Sequence, residues 1–105
     1  MNSICVKGHL VGIPELSRVK NKAVCTFSVL GHEDSDVDKE IHFFKCEATG
    51  KLAESIKERS SDGMEVFIEG KLETISSYDE KKNRFYDNRI SVEGFISSEL
   101  EHMTA

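Results

Sequence analysis

The sequence predicts one all-β domain with a single short helix, and two observations lead to this prediction. Apolar and polar residues alternate over several stretches with a repeat of two, which is typical of strands half buried against a core. Residues 50–60 depart from this pattern, because Leu52 and Ile56 stand four apart and share one side of a helix. A chain of 105 residues is large enough for one domain with one core.

The first half of the chain contains three predicted strands. Residues 2–12 form the first, where a glycine in mid-strand suits a bulge or a tight bend, and Pro14 is predicted to end it. Residues 22–30 form the second strand and residues 41–48 the third. The acidic stretch 32–40 between them is predicted to be a mobile hairpin loop. It resembles the start of a calcium loop but lacks the required glycine and closing glutamate, so no metal site is predicted.

The second half contains the helix and two further strands. Thr49 is predicted to cap the helix, which ends near Ser60, and Asp62-Gly63 turns the chain into the fourth strand. The core side of that strand is predicted to comprise Val66, Ile68, Gly70 and Leu72. A polar hairpin over residues 77–83 leads into the last strand. Five strands with one helix between the third and the fourth are the plan of an OB-fold, a small Greek-key barrel. Residues 1–98 would form this domain and residues 99–105 a disordered tail.

The charge of the chain is unevenly distributed. The net charge of -5 disfavours a nucleic-acid partner at first sight. Residues 32–40 contribute -4 and residues 94–105 contribute -2, which leaves the rest of the chain at +1. The predicted sheet is therefore nearly neutral, and nucleic-acid binding is not excluded by composition.

Several other classes of function find little support. The three cysteines form no Cys-x-x-Cys pair and the four histidines are scattered, which indicates free thiols and no zinc site. No spacing points to a catalytic triad or an acid–base pair. No apolar run approaches the roughly 20 residues that span a bilayer, and no signal peptide is visible. These observations predict a non-enzymatic, cytoplasmic protein without a membrane partner.

Five motifs resemble those of the bacterial-type single-stranded DNA-binding proteins. Their order and their spacing match that family over about residues 2–96. The motifs are Asn2-x-Ile4-x-Val6-x-Gly8-x-Leu10, Pro14-Glu15, Ala23-Val24, Gly50-Lys51-Leu52-Ala53-Glu54 and Ile68-Glu69-Gly70-x-Leu72-x-Thr74. The resemblance implies an OB-fold that assembles as a homodimer or homotetramer, needs no cofactor and has no catalytic activity. It implies binding of single-stranded DNA without sequence preference, in replication, recombination or repair, and possible replication-protein partners. Bases would stack on aromatic side chains while lysines and arginines meet phosphates, in a groove across strands two to five.

The resemblance also assigns site residues. Phe43 occupies a stacking tryptophan position of the family, whereas Thr49 and Ser77 stand at two further aromatic positions, with Tyr78 beside the second. The residues expected to bind nucleic acid are Phe43, Lys45, Lys7, Lys71, Tyr78, Lys81, Lys82 and Arg84.

Departures from the family keep other interpretations open. The chain has no tryptophan, and three glutamates, Glu47, Glu69 and Glu73, share the expected binding face. The long tail of the family with its acidic tip is expected to be absent. Phe43 is also compatible with a subunit interface, and the lysines of the hairpin with a solvated turn. The alternative hypothesis is an OB-fold protein-interaction module, a primosomal or replication accessory with weak or no DNA binding.

Overall fold

The computed structural model describes residues 2–32, 41–97 and 100–104, with side chains for residues 2–31 and 42–97. Its elements are β1 (Ile4–Val19), β2 (Lys22–His32), β3 (Ile41–Thr49), α1 (Gly50–Arg59), β4 (Glu65–Tyr78), β5 (Arg84–Ser97) and β6 (Leu100–Thr104). The acidic loop predicted between the second and third strands lies, apart from the backbone of His32, outside the described residues.

The first five strands form one sheet that pairs back on itself. They lie in the order β3-β2-β1-β4-β5, and β5 also pairs with β3 in parallel. This last contact joins Cys46 to Ile90 and Glu47 to Ser91. Helix α1 lies between β3 and β4, so the predicted mostly β architecture with its one helix is confirmed and is compatible with an OB-fold.

The core lies inside this closed sheet, as the alternation of apolar residues predicts. Buried side chains come from β1 to β5, and α1 adds Leu52, Ala53 and Ile56. The rings of Phe27 and Phe95 meet edge to face with centroids 5.8 Å apart. The expected cap at Thr49 has the N-cap backbone conformation but makes no side-chain hydrogen bond.

The β1–β2 hairpin is longer than predicted, because Pro14 does not end β1. The register shifts between Val11 and Glu15, where three residues of β1 face one residue of β2. Such a bulge tolerates a proline, since the missing N–H falls where ladder pairing is interrupted. The strand then continues to a two-residue turn at Lys20 and Asn21, whose φ angles of 52° and 66° fit a type I′ turn.

The β4–β5 hairpin also extends beyond the core, and this corrects the prediction for Leu72. Pairing of β1 with β4 ends at Ile4 and Gly70. Beyond that point β5 is the only strand among the described residues that pairs with β4, and Leu72, predicted to face the core, is 41 % exposed. The hairpin closes in a turn where Asp79 Oδ1 accepts hydrogen bonds from the backbone N–H groups of Lys81 and Asn83.

The segment predicted as a disordered tail contains a strand. The backbone of β6 pairs with β5, with Gly94 opposite Thr104 and Phe95 opposite Met103. Among the described residues, β5 pairs with β3 only at Ile90 and Ser91. Farther along the strand, the same edge of β5 therefore has backbone groups available to pair with β6. The boundary of the domain at residue 98 stays a prediction.

Candidate functional site

A groove of about 580 Å³ crosses the outer surface of the closed sheet. Its floor comes from β2 and β3, one wall from the bulge of β1 and the other from the β4–β5 hairpin. The lining residues are Val11, Gly12, Ile13, Glu15, Thr26, Phe27, Ser28, Lys45, Cys46, Glu47, Ile75, Asp87, Asn88 and Arg89. Two of these side chains are cationic and three are anionic, so the groove itself does not carry a positive surplus.

Arg89 is the centre of an ion-pair network at one wall of this groove. Its Nη1 donates to Glu47 Oε2 at 2.6 Å, and its Nε donates to Glu73 Oε2 at 3.3 Å. The network joins β3, β5 and β4, and the Arg89 side chain is only 34 % exposed. Two of the three glutamates of the expected binding face thus share one arginine, and the three side chains together keep a net charge of -1. The third, Glu69, lies elsewhere, between Cys5 of β1 and Gly94 of β5 in the sheet register.

Lys45 forms the second ion pair of the groove. Its Nζ donates to Asp87 Oδ2 at 3.0 Å, which links the outward side of β3 to β5. The hydrogen bond and the charge of Lys45 lower the pKa of the Asp87 carboxyl from its ordinary value. The lysine expected to meet a phosphate therefore already has an anionic partner.

A second depression, the cleft, has a volume of about 370 Å³ and opens between β3 and β5 beside the groove. Phe43, which is 56 % exposed, borders it on β3, and Tyr86, which is 65 % exposed, borders it on β5. Apolar side chains contribute much of the remaining lining: Ile4, Phe44, Leu72 and Ile90. The expected stacking residue thus faces an aromatic-lined cavity.

The other end of the β4–β5 hairpin gathers the remaining expected residues. Tyr78 is 66 % exposed and lies opposite Arg84 in the register of the two strands. The Arg84 guanidinium stands over the ring of Tyr86 at 5.3 Å from its centroid. Lys81 and Lys82 are exposed in the adjoining turn, where Lys82 has a positive φ of 64°. Cations and aromatic rings therefore alternate along this hairpin.

Two expected residues lie apart from these features. Lys7 on β1 stands opposite Phe67 of β4, and Lys71 on β4 stands opposite Ser91 of β5. Both are exposed, but neither lines the groove or the cleft. The structure therefore brings Phe43 and Lys45 together, groups Tyr78, Lys81, Lys82 and Arg84 on the hairpin, and leaves the other two lysines separate.

Sequence analysis missed three residues of this region. Alternation assigns Tyr86 to the inward side of the last strand, and it assigns Asp87 and Arg89 no role. Their positions depend on the parallel contact of β3 with β5 and on where β1 stops pairing with β4. One local pattern does point to two of them. Asp87 and Arg89 share one face of the strand with Phe85, and Ile90 lies on the other face, toward the core.

Among the side chains that the structure describes, no three His, Cys, Asp or Glu residues gather in a metal-binding cluster. Within the described ranges, no helix has the length and apolar character needed to cross a membrane. Residues 1–101 match the family model described as the single-strand binding protein family. The chain matches no curated protein sequence. The family match covers nearly all of the 105 residues.

Proposed function

Because the chain belongs to the single-strand binding protein family, we propose that it binds single-stranded DNA in the groove and the cleft by base stacking and phosphate contacts. Membership of the family supports single-stranded DNA as the partner. The observation that carries the proposed mode of binding is the position of the groove. It crosses the faces of β2 and β3 between two long hairpins, where OB-folds bind oligonucleotides.

The residues around the groove supply the two kinds of contact that this binding requires. Phe43 and Tyr78 present exposed rings on which bases can stack, and stacking is tolerant of sequence because every base has a π-face. Lys45 lies on the floor of the groove, and Lys81, Lys82 and Arg84 extend from the hairpin. In the proposal Lys7 and Lys71 act only at the margin, because they line neither depression.

The first test is a fluorescence-anisotropy titration of labelled oligo-dT at low and at moderate salt, with the native protein and with Phe43→Ala. We expect the affinity of the native protein to fall as salt rises, because phosphate contacts release counterions. We expect Phe43→Ala to weaken binding roughly 5- to 150-fold, since a stacked base is worth about 1–3 kcal/mol.

Phe43→Trp is the matched control, because it keeps an aromatic ring at the same exposed position; it should bind at least as tightly as the native protein. Light scattering of each variant separates stacking from assembly. Absence of binding even at low salt would contradict the proposal. A Phe43→Ala variant that changes its oligomeric state and keeps its affinity would instead assign Phe43 to a subunit interface.

One observation favours the second candidate, an OB-fold protein-interaction module. The cations that line the groove, Lys45 and Arg89, are both paired with carboxylates of the same sheet. A phosphate must compete with those carboxylates, which lowers the affinity that each cation can supply. Co-purification with a replication protein, together with failure to bind oligo-dT, would support this candidate.

The proposal extends to the biological setting of the protein. We infer a homodimer or homotetramer acting in replication, recombination or repair, without catalytic activity. Exposed apolar side chains on the outer faces of β4 and β5, Phe67 and Ile96, support assembly, because outward apolar residues on a sheet favour a partner. The three cysteines are free thiols, which suits a cytoplasmic location. A monomer in light scattering at micromolar concentration would contradict the assembly.

A further inference from the structure

We propose that the cleft between β3 and β5 takes one unstacked base of the bound strand, held between Phe43 and Tyr86. The inference rests on the proposed function and deepens it, because it adds a base-binding residue that neither the sequence nor the family match assigns. Tyr86 becomes the second aromatic wall, and the cleft becomes a receptor for a base rather than a flat stacking surface.

The cleft exists because two parallel strands separate. β3 and β5 pair at Cys46–Ile90 and Glu47–Ser91, and no pairing between them is recorded among the described residues before these positions. Phe43 lies three residues before Cys46, and Tyr86 lies four residues before Ile90, the residue paired with Cys46. Both residues line the opening that this separation leaves, Phe43 from β3 and Tyr86 from β5.

The lining of the cleft combines apolar and polar side chains, as the faces and edges of a base require. Leu72 is exposed at its surface although the residue is apolar, and Ile4, Phe44 and Ile90 provide further apolar lining. The volume of about 370 Å³ lies within the range of about 300–1,000 Å³ that is usual for small-molecule sites. A base that enters covers this apolar surface and stacks against the rings, while its sugar stays at the opening.

Two contacts orient side chains at the cleft, one at Tyr86 and one at Asn88. The Arg84 guanidinium lies over the Tyr86 ring at 5.3 Å, which holds the ring against the hairpin and places a cation beside the opening. Asn88 lines the cleft, and its Oδ1 accepts a hydrogen bond from the Thr74 hydroxyl at 3.2 Å. The amide NH₂ of Asn88 remains as a donor for an acceptor atom of the base.

The cleft is continuous with the groove. Four residues, Lys45, Asp87, Asn88 and Arg89, line both depressions. The Lys45–Asp87 ion pair spans β3 and β5 at this shared border. A strand whose phosphate approaches Lys45 from the groove therefore has its neighbouring base at the mouth of the cleft.

The test is a double-mutant cycle on oligo-dT binding with Phe43→Ala, Tyr86→Ala and the double variant. Oligonucleotides of roughly 16 nucleotides are long enough to fill the site of one domain. We expect each single variant to lose roughly 5- to 150-fold in affinity. The double variant should lose little more than the worse single variant, because both rings hold the same base. Tyr86→Phe keeps the ring and should retain native affinity.

A second readout reports on the base itself. An oligonucleotide carrying 2-aminopurine changes its fluorescence when the base stacks, and we expect part of that change to disappear in Tyr86→Ala and to persist in Tyr86→Phe. Urea unfolding of each variant shows that the sheet is intact.

Four results would overturn the inference. Native affinity in Tyr86→Ala, with the Phe43→Ala loss and the salt dependence intact, would remove Tyr86 from the site and leave the proposed function standing. Additive losses in the cycle would mean that the rings hold different bases. A change of oligomeric state in Tyr86→Ala without loss of affinity would mean that a second copy of the chain covers the cleft. Failure of the native protein to bind oligo-dT would refute the proposed function together with the inference.

Discussion

At the scale of single residues, Asp87 controls how much positive charge the groove offers. Its carboxylate accepts a hydrogen bond from Lys45, and the lowered pKa means that it stays ionised well below neutral pH. The pair therefore persists above the ordinary carboxyl pKa of 3.8 and is lost only as the pH falls below it. At neutral pH, a phosphate that approaches Lys45 has to displace a charged competitor.

Asp87→Asn should therefore raise the affinity for oligo-dT. The variant frees Lys45 for a phosphate, so we also expect the dependence of log K on log salt to steepen by about 0.7, the value for one phosphate contact on a single strand. Anisotropy titrations over a range of salt concentrations measure both effects.

Glu65→Gln is the matched control, because it removes the same charge on β4 beside His9, away from the groove and the cleft. It should leave the steepness of the salt dependence unchanged. An equal gain in the two variants would show that overall charge, and not the release of Lys45, is responsible.

The sequence predicts some of these residues better than others. Alternation within β3 suffices to expose Phe43 and Lys45 on one face, because the strand is covered on its other face by the core. The same alternation misplaces Leu72 and Tyr86, since it assumes that a core lies under the whole length of β4 and β5. Where that core ends depends on the pairing of Ile4 with Gly70, which no local pattern encodes.

At the scale of elements, Gly70 marks the place where β4 leaves the core. A Cβ at this position would collide with the backbone carbonyl of Ser91, and the register of β4 and β5 shifts at this point around Glu93. Backbone atoms on a paired strand cannot move aside as the end of a flexible side chain can. Both the bulge and the close approach of the two strands therefore depend on the absence of a side chain at Gly70.

Gly70→Ala should lower the free energy of unfolding by about 3 kcal/mol, the upper part of the range for overpacked sites. Urea denaturation measures the change. Gly63→Ala is the comparison, because Gly63 has a φ of 80° but open space around it, so only backbone strain of about 1 kcal/mol is expected. Equal losses in the two variants would contradict the proposed role of the close approach.

Element boundaries show the same limit of sequence reasoning. Period and turn residues place five strands and the helix in the correct order. Pro14 is a sound local signal for the end of a strand, yet β1 passes it in a bulge and continues to Val19. The continuation pairs with β2 from Glu15 to Val19, and two contacts with α1 accompany it: Lys57 Nζ donates to the Pro14 carbonyl at 2.8 Å and Arg18 pairs with Glu54 at 3.1 Å. These contacts join residues about 40 apart.

At the scale of the whole molecule, charge distribution matters more than net charge. The chain carries -5, and residues 33–40, which join β2 to β3, contain five acidic residues and one lysine. Those two strands form the floor of the groove. Like charge next to a binding surface slows the approach of an anionic strand, and salt screens the effect over about 10 Å at 0.1 M.

Asp34→Asn with Asp36→Asn should speed the association of oligo-dT, most strongly at low salt. The matched variant, Glu99→Gln with Glu101→Gln, changes the net charge equally, from -5 to -3, at the other end of the chain. We expect a smaller acceleration there, because Glu99 and Glu101 are ten or more residues from Arg89, the nearest groove-lining residue along the chain. Stopped-flow fluorescence measures both rates, and identical acceleration would contradict a local effect.

The parallel contact of β3 with β5 has a consequence for how the protein acquires its function during folding. The β1–β2 and β4–β5 hairpins can form from neighbouring residues, but β1 must find β4 across 66 positions, and β5 must reach β3 across 44. Non-local pairing of this kind is slow, because loop-closure entropy is lost before contacts compensate for it. The groove and the cleft have a complete border only after the last of these contacts forms. The capacity to bind DNA should therefore appear with the slowest folding phase, later than most of the secondary structure.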